Sequence, residues 1–154
     1  MPKIHQWLSE YGESHKNETN KAIHWICVPI IFLSITGLLF SIKLSVTVAG
    51  ITLNVAIMAM VFIIAYYIKL SKTLWVGMLL FGLACLMICQ LIENANLLPL
   101  WLVSVILFVL AWLGQFYGHK VEGKKPSFLK DLQFLLIGPA WLMSFIYQKM
   151  GIRL

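Results

Sequence analysis

Apolar and polar positions fall along this chain in long blocks. The first 22 residues are polar, yet Ile4, Trp7, Leu8 and Tyr11 keep the i, i+3, i+4, i+7 spacing of one helix face. That spacing predicts an amphipathic helix on the membrane surface, with Trp7 and Tyr11 at headgroup level. His15 follows Tyr11 by four residues and continues the face, whereas His5 falls off it and is expected to be solvated. Asn20 reads as the N-cap of a first apolar run over residues 23–42, and Lys43 marks the turn after it. Further runs cover residues 44–68, with only Asn54 as a strongly polar interruption, then 74–92 and 97–117. A helix needs about 20 apolar residues to cross a bilayer. A last apolar stretch, residues 132–147, is broken by Gly138-Pro139 and is marginal in length, so it is expected as a kinked fifth span or a re-entrant piece. The expected architecture is all-α: a multi-span integral membrane helical bundle of four to five transmembrane segments, with an N-terminal interfacial helix. It forms a single membrane-embedded domain over residues 1–154.

Composition narrows the class. The chain is 60% hydrophobic and only 12% charged, with a mean hydropathy of +0.86. Soluble domains run near half apolar and about a quarter charged, so an ordinary soluble domain and a disordered chain are both excluded. No cleavable signal peptide is expected, because a long polar segment precedes the first apolar run. The net charge of +6 comes from loop lysines, which implies membrane topology and anionic headgroups before nucleic acid. Lys3, Lys16, Lys21, Lys69, Lys72, Lys120, Lys124, Lys125 and Lys130 fall on one side of a four-span arrangement, and only Lys43 lies in the opposite turns. The N-terminus is therefore expected in the cytoplasm, at the inner membrane of a bacterium or the endoplasmic reticulum of a eukaryote. An even number of crossings returns the chain to its starting side, so His15, His24 and His119 are expected at one membrane face. Cys27, Cys85 and Cys89 all lie in apolar runs and read as small buried hydrophobes.

Candidate chemistry gathers where apolar runs meet polar segments. Trp112, Gln115, His119 and Glu122 are spaced by three, four and three, and share one face if the helix continues past Tyr117. Gly114 and Gly118 allow close helix approach, with ordinary packing as the favoured role. His15, His24 and His119 together suit iron, zinc, copper or nickel, and Glu122 would add an oxygen ligand. Asn20, Gln115 and Tyr11 would orient the imidazoles. The competing reading is a set of hydrogen-bonded boundary histidines in a non-catalytic membrane protein that binds lipid or acts as a scaffold. A third is a metal-handling membrane protein. No phosphate-binding loop, H-E-x-x-H or G-x-S-x-G pattern is present. Four histidines are too few for the membrane diiron desaturases, which use about eight.

The pattern Tyr11-x3-His15-x4-Asn20-x3-His24-x4-Pro29, then Trp112-x2-Gln115-Phe116-x-Gly118-His119-x2-Glu122-x3-Pro126, then Gly138-Pro139, resembles the 2-hydroxy fatty acid dioxygenase (Mpo1-like) family. The resemblance covers nearly the whole chain. Cys27 departs from it where glycine is usual, and Ser127 where alanine is common. It implies an Fe(II)-dependent dioxygenase of lipid metabolism, acting with O2 in the α-oxidation of long-chain 2-hydroxy fatty acids to the acid one carbon shorter. Carried over by residue, His15, His24 and His119 become the Fe(2+) ligands, and Glu122 a further catalytic residue, as a ligand or an outer hydrogen-bond acceptor. The substrate's α-hydroxyl and carboxylate would meet the iron at the interface, and its chain would lie among the spans. Lys120, Lys124 and Lys125 would attract the carboxylate, with topology as their more ordinary role. The implied partners are the fatty acid, O2 and membrane lipids, without nucleic acid.

Overall fold

A computed structural model describes residues 3–123 and 134–154. Lys124, Lys125, Pro126, Ser127 and Lys130, with the first residues of the 132–147 stretch, lie outside the described residues. Among the described residues, six helices and one hairpin follow in order: α1 (Lys3–Gly12), α2 (Glu18–Phe40), β1 (Lys43–Val48), β2 (Ile51–Asn54), α3 (Val55–Leu70), α4 (Leu74–Ala95), α5 (Leu100–Glu122) and α6 (Ile137–Lys149).

The cap of helix α2 lies three residues before the expected one. Asn17 is the N-cap, its side chain accepting from the Thr19 and Asn20 N–H groups. Asn20 therefore sits inside the first turn, fully buried. Its amide donates instead to Ser14 O at 3.3 Å and Glu122 Oε2 at 3.0 Å.

The run expected as one span over residues 44–68 is divided. Residues 43–54 form an antiparallel hairpin that pairs Val48 with Ile51. Its turn is Ala49-Gly50, at φ 51° and 80°. The local sequence Val46-Thr47-Val48-Ala49-Gly50-Ile51-Thr52 is rich in β-branched residues around a glycine turn, which favours a hairpin over a continued helix. Asn54 ends the hairpin and caps α3, accepting from Ile57 N at 3.0 Å. At 16 residues, α3 rises about 24 Å, short of a hydrocarbon core about 30 Å thick. Helix α6, with 13 residues, is shorter still, and Gly138-Pro139 falls in its first turn, where a missing N–H costs no helical bond. Only α2, α4 and α5, of 23, 22 and 23 residues, are long and apolar enough to cross among the described residues. Three helices thus meet the requirement expected of four or five.

The four central helices nevertheless alternate in direction. Phe40, Ala56, Cys89 and Leu100 pack together at one end, and Phe32, Met60 and Cys85 pack in the middle. Tyr67, Leu74 and Met78 meet Ile4 and Ala140 at the other end. The antiparallel α2–α5 pair is closest: a Cβ on Gly37 would lie 2.1 Å from Ser104 Oγ, one on Gly114 2.6 Å from Cys27 Sγ, and one on Gly118 2.5 Å from Asn20 Oδ1. The glycines therefore serve packing, and the three cysteines are buried free thiols.

Helix α1 turns its apolar face inward. Ile4 joins Tyr67, Leu74 and Ala140, and Tyr11 joins Val28, Ile137 and Trp141. Trp7 stays exposed at the rim. Helix α6 is held against α4 by Tyr147, whose hydroxyl donates to Thr73 O and accepts from Gly77 N, both at 2.9 Å.

Candidate metal centre

His15 lies in the turn between α1 and α2, with its N–H on Gly12 O at 3.0 Å. The helix ends before it, but the ring still stacks on Tyr11, with centroids 4.3 Å apart and planes 11° apart. Its Nδ1 meets Tyr11 O at 2.7 Å. His24, in the second turn of α2, places Nδ1 2.9 Å from Asn20 O. His119 occupies the last turn of α5. All three are buried, at 4%, 1% and 5% exposure. Their ring centroids stand 4.1 Å apart for His15 and His24, 5.5 Å for His24 and His119, and 6.1 Å for His15 and His119. Folding thus brings together three imidazoles from distant parts of the chain. His5 is half-buried on α1 and makes no ring contact with them among the described residues.

A carbonyl oxygen only accepts, so Nδ1 of His15 and of His24 donates, and in the neutral ring that leaves the lone pair on Nε2. Backbone carbonyls hold metal-binding imidazoles in the same way, fixing tautomer and ring plane. Three imidazoles, two of them held in this way, are donors that suit a first-row divalent ion such as iron, zinc or copper. Among the described residues, no three His, Cys, Asp or Glu side chains stand at the distances of a formed metal site. The donor chemistry fits, while the rings converge without closing on a single point.

Glu122, at the end of α5, is half-exposed. Its Oε1 accepts from Lys16 N at 3.1 Å; its Oε2 accepts from Asn17 N at 2.9 Å and Asn20 Nδ2 at 3.0 Å. Both oxygens thus grip the segment that follows His15 and caps α2. Because Gly118 has no side chain, α5 comes close enough for this grip. Glu122 thus ties the His119 helix to the His15 turn.

The sequence pointed to the polar members of this site and passed over its aromatic wall. Trp141 of α6 lies 5.3 Å from both the His15 and Tyr11 rings, and Phe134 lies 5.6 Å from Tyr11. Helix α6 is buried on most sides, so it shows no amphipathic period that would mark one face. Its one signal was the Gly138-Pro139 pair: a Cβ on Gly138 would lie 3.1 Å from the Tyr11 hydroxyl and 3.2 Å from Val28 Cγ1. Trp112 and Gln115 share the buried face of α5 with His119, as their spacing predicted. Lys120 is exposed. Beside His24 lies a cavity of about 30 Å³ that Trp112 and Gln115 help to line.

Comparison with known proteins gives the chain a family. The family described as "2-hydroxy-palmitic acid dioxygenase Mpo1-like" matches residues 1–150. The chain belongs to that family. It is 30% identical over 146 residues to the Saccharomyces cerevisiae protein named "2-hydroxy-palmitic acid dioxygenase MPO1", a match covering 94% of this chain and 79% of the yeast protein. No solved structure matches it. The family resemblance carried by the paired histidine motifs therefore holds across the chain.

Proposed function

We propose that this protein is an Fe(II)-dependent dioxygenase that shortens long-chain 2-hydroxy fatty acids by one carbon. The observation that carries this reading is the convergence of His15, His24 and His119 on one buried floor, with centroids 4.1–6.1 Å apart, in a chain of the Mpo1-like family. The reaction balances as one 2-hydroxy acid and one dioxygen giving the shorter acid, one carbon dioxide and one water. The C1–C2 bond breaks, dioxygen takes up four electrons, and no external reductant is needed. His15, His24 and His119 would hold the ion, which when bound supplies oxygen activation and Lewis acidity.

The chain's own residues do the rest. Tyr11 O and Asn20 O hold the His15 and His24 rings with their lone pairs at Nε2. Glu122 keeps the His15 turn docked on α5. Tyr11, Phe134 and Trp141 wall the site with aromatic surface and exclude bulk water.

The test is anaerobic purification with ferrous iron, followed by oxygen and 2-hydroxypalmitic acid, with mass spectrometry of the products. The expected result is the acid one carbon shorter, together with bound iron that is lost in His15→Ala, His24→Ala and His119→Ala by metal analysis. Folded protein that holds no iron and leaves the acid intact refutes the proposal and points to a non-catalytic lipid-binding protein. Iron binding without turnover points to metal handling.

A further inference from the structure

We infer that the cavity beside His24 and a second cavity farther along α2 form one substrate slot, with Gln115 reading the polar head and the α2–α3 face taking the acyl tail. This deepens the dioxygenase reading and rests on it for the identity of the substrate.

Gln115 is 6% exposed, and its Oε1 has no hydrogen-bond partner among the described residues. Buried side-chain amides are nearly always hydrogen-bonded, and leaving one unsatisfied costs its full desolvation. Gln115 instead faces the cavity it shares with His24, whose other walls include Val28, Ile31, Trp112 and Leu135. An amide both donates and accepts. The orphaned Oε1 calls for a donor, which the α-hydroxyl of a 2-hydroxy acid supplies, while its carboxylate can accept from the amide N–H.

Leu135 also lines the second cavity, of about 50 Å³, between α2 and α3. That cavity is walled by Phe32, Ile35, Leu39, Ala59 and Met60, with one hydroxyl, Thr36. The hydroxyl donates to Phe32 O at 2.8 Å, so it offers the cavity no hydrogen. The lining thus grades from polar at His24 and Gln115 to apolar beyond Leu135, as the substrate does from head to tail. From His24 to Leu39 the helix rises about 22 Å, more than one leaflet of roughly 15 Å. The volumes, about 30 and 50 Å³, are water-sized, so admitting an acyl chain requires side chains of the lining, Leu135 among them, to turn to other rotamers.

The experiment uses the full chain in detergent, loaded with iron. Binding is read anaerobically by tryptophan fluorescence, since Trp112 lines the first cavity, and turnover is read by mass spectrometry. The probes are 2-hydroxypalmitic acid, 2-hydroxyoctanoic acid and palmitic acid. Gln115→Leu removes the amide at similar volume. It is expected to weaken binding and raise KM for 2-hydroxypalmitic acid roughly 10- to 100-fold, to narrow its preference over palmitic acid, and to leave the thermal midpoint no lower than wild type. Ala59→Phe fills the far cavity and is expected to raise the octanoic-to-palmitic rate ratio of the hydroxy acids by about tenfold or more. Ala59→Leu gives a milder shift and stands in if the phenylalanine variant fails to fold. Unchanged KM in folded Gln115→Leu, or an unchanged chain-length ratio in a folded Ala59 variant, overturns the slot. Wild-type protein that binds the hydroxy acid but never shortens it sinks the dioxygenase reading alone. Wild-type protein that neither binds nor shortens it sinks both.

Discussion

Removing the Glu122 carboxylate tests whether the centre is assembled by a clasp between the two ends of the bundle sequence. Glu122→Ala deletes acceptors for Lys16 N, Asn17 N and Asn20 Nδ2, at 3.1, 2.9 and 3.0 Å. A hydrogen bond to a charged group contributes about 1.5–3 kcal/mol net. Here the carboxylate is half-exposed and water competes for two of the donors, so the sum is discounted steeply. The buried Asn20 amide is the part that water replaces least well. The expected loss is about 1–3 kcal/mol in total, or a fall of roughly 3–10 °C in the thermal midpoint for a chain of this size. Thermal unfolding in detergent reads the midpoint, and metal analysis on the same samples reads iron. Glu122→Gln keeps one carbonyl acceptor and should fall between wild type and alanine on both readouts. A wild-type midpoint in Glu122→Ala would refute the clasp. Iron lost from Glu122→Gln at an unchanged midpoint would instead make Glu122 a ligand.

Other expectations follow from the packing. Gly118→Ala puts a Cβ 2.5 Å from Asn20 Oδ1; overpacking of this kind costs about 1–3 kcal/mol, and because it pushes α5 from α2 it should lower both the midpoint and iron retention. Gly114→Ala meets Cys27 Sγ at 2.6 Å, so adding Cys27→Gly should restore much of the lost stability, and a double variant no better than the single would show that the contact is not the cause. Asn54→Ala removes the cap of α3 and should cost about 1 kcal/mol, seen as faster hydrogen exchange at Ile57 with iron content unchanged; protection equal to wild type would mean that the cap is dispensable.

The block pattern and low charge were enough to predict a mostly helical chain with helices long and apolar enough to cross a membrane, because lipid leaves a buried backbone few alternatives to the helix. Spacing alone also placed Trp112, Gln115, His119 and Glu122 on one face, since a helix repeats every 3.6 residues wherever it lies. Reversal of direction from helix to helix brought His15, His24 and His119 to one end of the bundle, although among the described residues fewer helices than expected are long enough to cross. Hydropathy could not find the hairpin at residues 43–54, because β-branched apolar residues score alike in a strand and in a span. Nor could sequence decide between Asn17 and Asn20 as the cap: both are good caps, and the choice turned on Glu122, more than a hundred residues away, which needed the Asn20 amide. The aromatic wall of Trp141 and Phe134 and the two cavities along α2 exist only once α6 packs against α1, α2 and α4. Those contacts join residues far apart in the chain, and no local period records them.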